Sequence, residues 1–255
     1  MATVMQTAET RTVTGGTSTF VVNWWKTTHA DISLVSTVSG GTAKSVTNWS
    51  KSTAVNGPFF PNAGNHTIVN AFAVNNGAAV LSTGPDTDGS KNYENIDYLT
   101  NPLDYLMDPM SKTGPHDVEV LFGNKGTFPV TSVKGQSYNM NNIRWALGGM
   151  SLETNNASYD TASTFNSNWK WRNIMSTSAL SKRTAIGYTG STGAAVNYVV
   201  AVFGECKMFD VRKFMKDKGC TAYALYLDGS DSTQAKNNGT IVVTSSRTIP
   251  VIIAM

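Results

Sequence analysis

"AYALYLDGSDSTQAKNNG", residues 222–239, alternates in a way that suits an extended chain. Tyr223, Leu225 and Leu227 fall on one face and Ala222, Ala224 and Tyr226 on the other, which predicts a buried strand ending abruptly at Asp228. A polar turn follows. Gly229 permits backbone angles that a side chain forbids, and Ser230, Asp231, Ser232 and Thr233 crowd hydroxyls and carboxylates around the strand end. A rigid strand end carrying small polar groups is a good mount for a site. The same residues also read as a tight turn whose Asp and Ser side chains cap their own backbone.

Most of the surrounding sequence reads as strand too. "STFVVNWWK" (18–26) and "ADISLVSTV" (30–38) read as two strands, with adjacent Trp24 and Trp25 on opposite faces, one in the core and the other over an edge or a cleft. "AVNGPFF" (54–60) reads as a strand ending in the Asn56-Gly57-Pro58 turn, and "HTIVNAFAVNNGAAVLS" (66–82) as a hairpin about Asn76-Gly77. "HDVEVLFGN" (116–124) and "TFPVTSV" (127–133) look like further strands, and "NNIRWALGGMSLE" (141–153) leads into a Gly148-Gly149 turn. Trp169 and Trp171 share one face if their segment is a strand. "KRTAIGYTG" (182–190) and "AVNYVVAVFGE" (195–205) form a hairpin pair. "FDVRKFMKDKG" (209–219) is the clearest helix, with Asp210 as N-cap, Val211, Phe214 and Met215 as its apolar face and Gly219 as its stop. Strands outnumber helices, so the fold class is α+β: a β-rich single domain, a mixed or antiparallel sheet with few helices. Residues 1–17, rich in Thr, read as an N-terminal arm ahead of a domain over 18–255.

Composition narrows the function. The 255 residues carry 40% hydrophobic and only 15% charged side chains, with a formal net charge of +3, so one substantial core is expected under a polar but weakly charged surface. The basic residues are scattered, which argues against nucleic acid as a partner. No apolar run reaches membrane-spanning length, and the first twenty residues lack the basic start and apolar core of a secretory signal, so a cytoplasmic or virion-associated location and no membrane partner are expected. Cys206 and Cys220 flank the helix, and their reduced, buried form is expected over a disulfide. A polar insertion over 84–117 reads as a lid or recognition element for substrate specificity. Its "DTDGS" (86–90) resembles a fragment of a calcium loop but lacks the bidentate Glu at the required spacing, so calcium is not expected there.

Three motifs in order give the functional reading. "YLDGSDSTQ" followed by "NNGTIVVTSSRTIPVIIAM", "KRTAIGYTG" upstream and "AVNGPFF" before it resemble the phosphodiester glycosidase family, related to the enzyme that uncovers mannose 6-phosphate. The resemblance runs from about residue 18 to the end, loosely over 70–169. It departs where Ser230 and Asp231 stand in place of the second and third glycines of the family loop. The resemblance implies a phosphodiester glycosidase-like fold and cleavage of a sugar-1-phosphodiester into free sugar and phosphate monoester. Expelling a phosphate monoester asks little of a general acid, so the site needs a cation for phosphate and a carboxylate for the oxocarbenium-like transition state or its water. Asp228 is the expected carboxylate, Arg183 the expected phosphate holder through its planar fork, and Asn56 a third catalytic candidate. Gly57, Gly149, Gly229, Ser230, Asp231, Ser232, Thr233 and Arg247 are expected around the substrate.

The partner implied is a phosphorylated sugar, a nucleotide-like small molecule or a cell-wall phosphosugar polymer. No cofactor is expected, although Asp228 and Asp231 would suit magnesium or calcium better than zinc. Two other readings stand beside hydrolysis. One is a non-catalytic glycan-recognition, virion or surface protein that kept the fold, which the altered loop favours. The other is a metal-dependent nucleotide phosphodiesterase, for which three histidines are few.

Overall fold

Residues 223–226 form a strand near the middle of the larger of the two antiparallel sheets found among the described residues, which is why its side chains are covered on both faces. The computed structural model describes residues 3–28, 30–60, 73–76, 78–81, 119–124, 129–131, 143–169, 175–189, 197–221 and 223–255. Among them the strands run in order β1 (Val4–Met5), β2 (Glu9–Thr12), β3 (Thr19–Thr28), β4 (Ser33–Ser36), β5 (Ala54–Asn56), β6 (Ala73–Asn75), β7 (Ala78–Ala79), β8 (Glu119–Asn124), β9 (Pro129–Thr131), β10 (Ile143–Ser151), β11 (Ser181–Thr189), β12 (Asn197–Cys206), β13 (Tyr223–Tyr226), β14 (Ala235–Asn237), β15 (Thr240–Val243) and β16 (Val251–Ala254). Helix α1 (Ala162–Asn168) precedes β11, and helix α2 (Met208–Asp217) follows β12.

The larger sheet has the order β1-β3-β12-β11-β13-β10-β6-β7, with β2 also on β3 and the β8–β9 hairpin on β10. The smaller has the order β15-β14-β5-β16-β4. Period-two alternation divides the core between the two faces of the larger sheet. Val199, Ala201 and Phe203 of β12, with Ala224 and Tyr226 of β13, pack on Phe165 of α1 and Val211, Phe214 and Met215 of α2. Val200, Val202, Leu225 and Leu227 point the other way, onto Val55, Ala235, Val251 and Ile253 of the smaller sheet. The result is a β-rich fold of antiparallel sheets with two helices among the described residues.

Several local readings change. Val4–Met5 and Glu9–Thr12 are not a loose arm: both pair with β3. Their sequence hid this because β2 carries no apolar alternation: it is held by backbone pairing with β3, and its Arg11 also reaches Glu9 at 2.8 Å and Asp217 of α2 at 2.9 Å. Gly148 and Gly149 make no turn but lie inside β10, paired with Val120 and Glu119. Asp210 is not the N-cap of α2. Lys207 is, and the Asp210 carboxylate reaches back to accept from the Lys207 amide at 3.0 Å and from the Thr14 amide at 2.9 Å. Gly219 does end the helix, at φ 87°, with the amides of Gly219 and Cys220 donating to the carbonyls of Lys216 and Met215. Trp169 caps α1 rather than sitting in a strand. Trp25 is sealed in the core, its indole N–H on Asn237, while Trp24 packs edge-on against Phe214 on the opposite face. Trp171, the 84–117 insertion and its "DTDGS" lie outside the described residues.

Candidate functional site

The end of β13 gathers all three motifs. Asn56, the last residue of β5, is fully buried and acts as a three-way tie. Its Nδ2 donates to the Asp228 carbonyl at 2.8 Å, and its Oδ1 accepts from Thr184 Oγ1 at 2.7 Å and from the Gln234 amide at 3.2 Å. One side chain thus joins the "AVNGPFF", "KRTAIG" and "LDGSDSTQ" segments. In low dielectric such a satisfied network fixes geometry firmly. It also leaves Asn56 facing protein, not solvent.

Arg183 lies on the opposite face of β11 from Thr184, and only 3% of it is exposed. Its Nη1 donates to the Tyr226 hydroxyl at 3.3 Å and its Nη2 to the carbonyls of Ala179 and Ser176 at 3.0 and 3.4 Å. The guanidinium carbon stands 5.5 Å from the centre of the Tyr226 ring, and Nε has no hydrogen-bond partner. Direct phosphate contact, expected of Arg183, needs solvent access that this guanidinium lacks.

Tyr226 fills the space between Arg183 and the turn. Burial pushes its hydroxyl up to about 12, with the Arg183 charge pulling it down and the Asp228 charge adding to the rise, so it stays protonated near neutrality. Gly229 is required here: a Cβ would stand 2.4 Å from the Tyr226 hydroxyl oxygen and 2.9 Å from the Lys182 carbonyl. Gly57 and Gly149 are close-packing positions of the same kind. A Cβ on Gly57 would meet the Val251 carbonyl at 2.7 Å, and one on Gly149 the Tyr226 carbonyl at 2.7 Å. At both positions a neighbouring strand occupies the space a side chain would take.

The outer layer of the site is the turn itself. Asp228 is half-buried, and its Oδ1 accepts from the Gly229 amide at 2.9 Å. Ser230 and Asp231 are exposed on a 3-10 turn over Ser230–Ser232. Ser230 sits at φ 55°, the left-handed region that glycine enters at no steric cost. Ser232 and Thr233 are fully buried, and neither hydroxyl has a partner. Arg247 is half-buried, its guanidinium 4.8 Å from the centre of the Phe60 ring and its carbonyl accepting from Gln234 Nε2 at 2.7 Å. Among the described residues no three His, Cys, Asp or Glu side chains form a group able to hold a metal ion. Cys206 and Cys220 are separate buried thiols, and burial pushes both up, Cys220 to about 12.

Asn56 thus holds the Asp228 carbonyl and Thr184 on one face of β11, while Arg183 lies on the other face and meets Tyr226. Thr184, Tyr226 and Gln234 complete the arrangement and were not singled out from the sequence. Thr184 and Tyr226 carried a signal, as polar-tipped residues inside buried strands beside Arg183 and Asp228.

No protein-family profile matches the chain, and no curated protein matches it in sequence. Solved structures do match, and the fold they share with it is one that serves phosphodiester glycosidase chemistry in one case. That case is the zebrafish N-acetylglucosamine-1-phosphodiester alpha-N-acetylglucosaminidase catalytic domain, auto-inhibited by its pro-peptide, at TM-score 0.63 and 13% identity, over 99% of this chain and 82% of that one. A putative exported protein from Burkholderia pseudomallei K96243 matches at TM-score 0.58 and 13% identity, over 94% and 75%. A hypothetical protein from Synechocystis matches at TM-score 0.52 and 11% identity, over 99% and 62%. At these identities the likeness is one of fold. Among the described residues no helix is long and apolar enough to cross a membrane.

Proposed function

We propose that the chain is a hydrolase of sugar-1-phosphodiesters, working at the outer end of β13. The observation that carries this reading is the Asn56 tie, which brings the three glycosidase-like motifs together directly behind the Asp228 turn. Asp228 stands beside the anomeric carbon as that carbon takes on positive charge. The C1–O bond breaks, its electron pair leaves with the phosphate monoester, and water adds at C1 and gives up a proton. Asp231 is the second carboxylate of the turn, and Ser230 a hydrogen-bond partner for sugar. Because Arg183 is sealed, Arg247 takes the phosphate, and Arg183 acts from behind through Tyr226.

Purified protein incubated with a panel of glycosyl-1-phosphodiesters is expected to release free sugar and phosphate monoester in equal amounts. Absence of both across the panel overturns the reading. A second reading, glycan recognition without turnover, draws support from the sealed Arg183 and from Ser230 at a left-handed position. It predicts saturable binding of the same diesters with no product.

A further inference from the structure

Lys182 adjoins the Asp228 turn and has no part in the contacts that seal Arg183. Its backbone lies against the turn: a Cβ on Gly229 would stand 2.9 Å from the Lys182 carbonyl oxygen. Lys182 comes two residues before Thr184 in β11, so strand alternation places its side chain on the Asn56 face, away from Arg183. On that same face Asn56 accepts from the Gln234 amide, and Gln234 Nε2 donates to the Arg247 carbonyl, so the segments carrying Lys182 and Arg247 are tied through one side chain. The Lys182 side chain is half-buried, and among the described residues its ammonium makes no hydrogen bond or ion pair. Arg183, by contrast, is engaged with Tyr226 and two carbonyls, and Arg247 lies over the Phe60 ring.

We infer that Lys182 is a second phosphate-holding residue, gripping the departing phosphate from β11 while Arg247 holds it from the smaller sheet. The inference rests on the proposed hydrolysis and extends it to the charge which that reaction creates. A sugar-1-phosphodiester carries one negative charge on its phosphate. When the C1–O bond breaks, its electron pair stays on the phosphate oxygen, and the monoester bears a second charge above its second ionisation, at about 6. Water supplies the hydroxyl at C1 and releases one proton to solvent, so diester and water give sugar, monoester dianion and a proton. A cation beside the leaving oxygen therefore gains more in the transition state than in the bound diester, which raises kcat rather than only lowering KM. Lysine suits the task, since its compact charge rides a flexible stem that can follow the phosphate as it leaves.

The test compares wild type, Lys182→Met, Lys182→Arg and Lys26→Met, with melting curves to show that each is folded. Lys182→Met keeps the apolar stem and removes the charge. Lys26 is an exposed lysine of β3 in the row of Val199 and Gly187, away from the turn, and controls for net charge. Binding of phenyl phosphate, a monoester, is measured by calorimetry at about pH 5.5 and about pH 8, on either side of its second ionisation. Lys182→Met should bind it at least about threefold more weakly at the higher pH, with a smaller loss at the lower, and should lower kcat on diesters about tenfold or more. Lys182→Arg should regain most of both, and Lys26→Met should match wild type. Phenyl phosphate affinity in Lys182→Met within about threefold of wild type at the higher pH, or an equal loss in Lys26→Met, overturns the inference. So does a wild type that binds no phenyl phosphate. Should Lys182→Met fail to fold, Lys182→Gln is read against the same thresholds. A wild type without hydrolysis whose phenyl phosphate binding depends on Lys182 sinks the proposed function and leaves the phosphate-holding role standing. Hydrolysis that is unchanged in Lys182→Met does the reverse.

Discussion

The end of the larger sheet at Asp228 and the flank along α2 hold polar groups in opposite ways. At the sheet end Asn56 is 0% and Arg183 3% exposed, and the Asn56 amide is tied to Asp228, Thr184 and Gln234. Along α2 the charged side chains are 18% to 57% exposed and share partners: Arg11 serves both Glu9 and Asp217, Lys213 also reaches Asp217 at 3.1 Å, and Lys218 also reaches Glu9. Buried, satisfied networks are costly to break because the orphaned partner stays dry, whereas exposed pairs are replaced by water. The first arrangement sets geometry at a site; the second fastens the N-terminal strands to the body.

Asn56→Ala should break the contrast most severely. It orphans the Thr184 hydroxyl, the Gln234 amide and the Asp228 carbonyl together, and a loss of roughly 3–5 kcal/mol in chemical denaturation is expected. Gly149→Ala comes next. Its Cβ would meet the Tyr226 carbonyl at 2.7 Å, backbone that cannot swing aside, so about 1–3 kcal/mol should be lost by the same measurement. Ser230→Gly runs the other way. Relief of the φ 55° conformation should raise stability by about 0.5–1 kcal/mol, read as a higher melting temperature.

The exposed flank should give the smallest effect, with a definite sign. Burial alone would raise the Glu9 and Asp217 carboxyls. Lys218 and Arg11 at Glu9, and Lys213 and Arg11 at Asp217, outweigh it and hold both below their ordinary values. Groups lowered in the folded state stabilise it above their unfolded values, near 4.5 and 3.8, and that contribution is lost as pH falls through the lower folded ones. Protection of the amides of residues 4–12, relative to their intrinsic exchange rates, should therefore fall selectively below about pH 4. Glu9→Gln at neutral pH should cost no more than about 1 kcal/mol.

The sequence was most readable where apolar alternation alone decided the structure. β13, the β11–β12 hairpin and α2 follow from period two, period 3.6 and the Gly219 stop. It was least readable where charge or close packing decided. β1 and β2 carry little apolar pattern, α1 is built from the weak helix formers of "ASTFNSN", and Gly149 marks an approach of strands that only three dimensions display. The site divided in the same way. The motifs at Asn56, Arg183 and Asp228 stood out as residue types, but which of them would be sealed depended on strands far apart in the chain.

The most direct test of the account is Asp228→Asn, which keeps the shape of the turn and removes its charge. Hydrolysis of a sugar-1-phosphodiester should fall by about 100-fold or more with the melting temperature nearly unchanged. Turnover equal to wild type in a folded Asp228→Asn protein would contradict it.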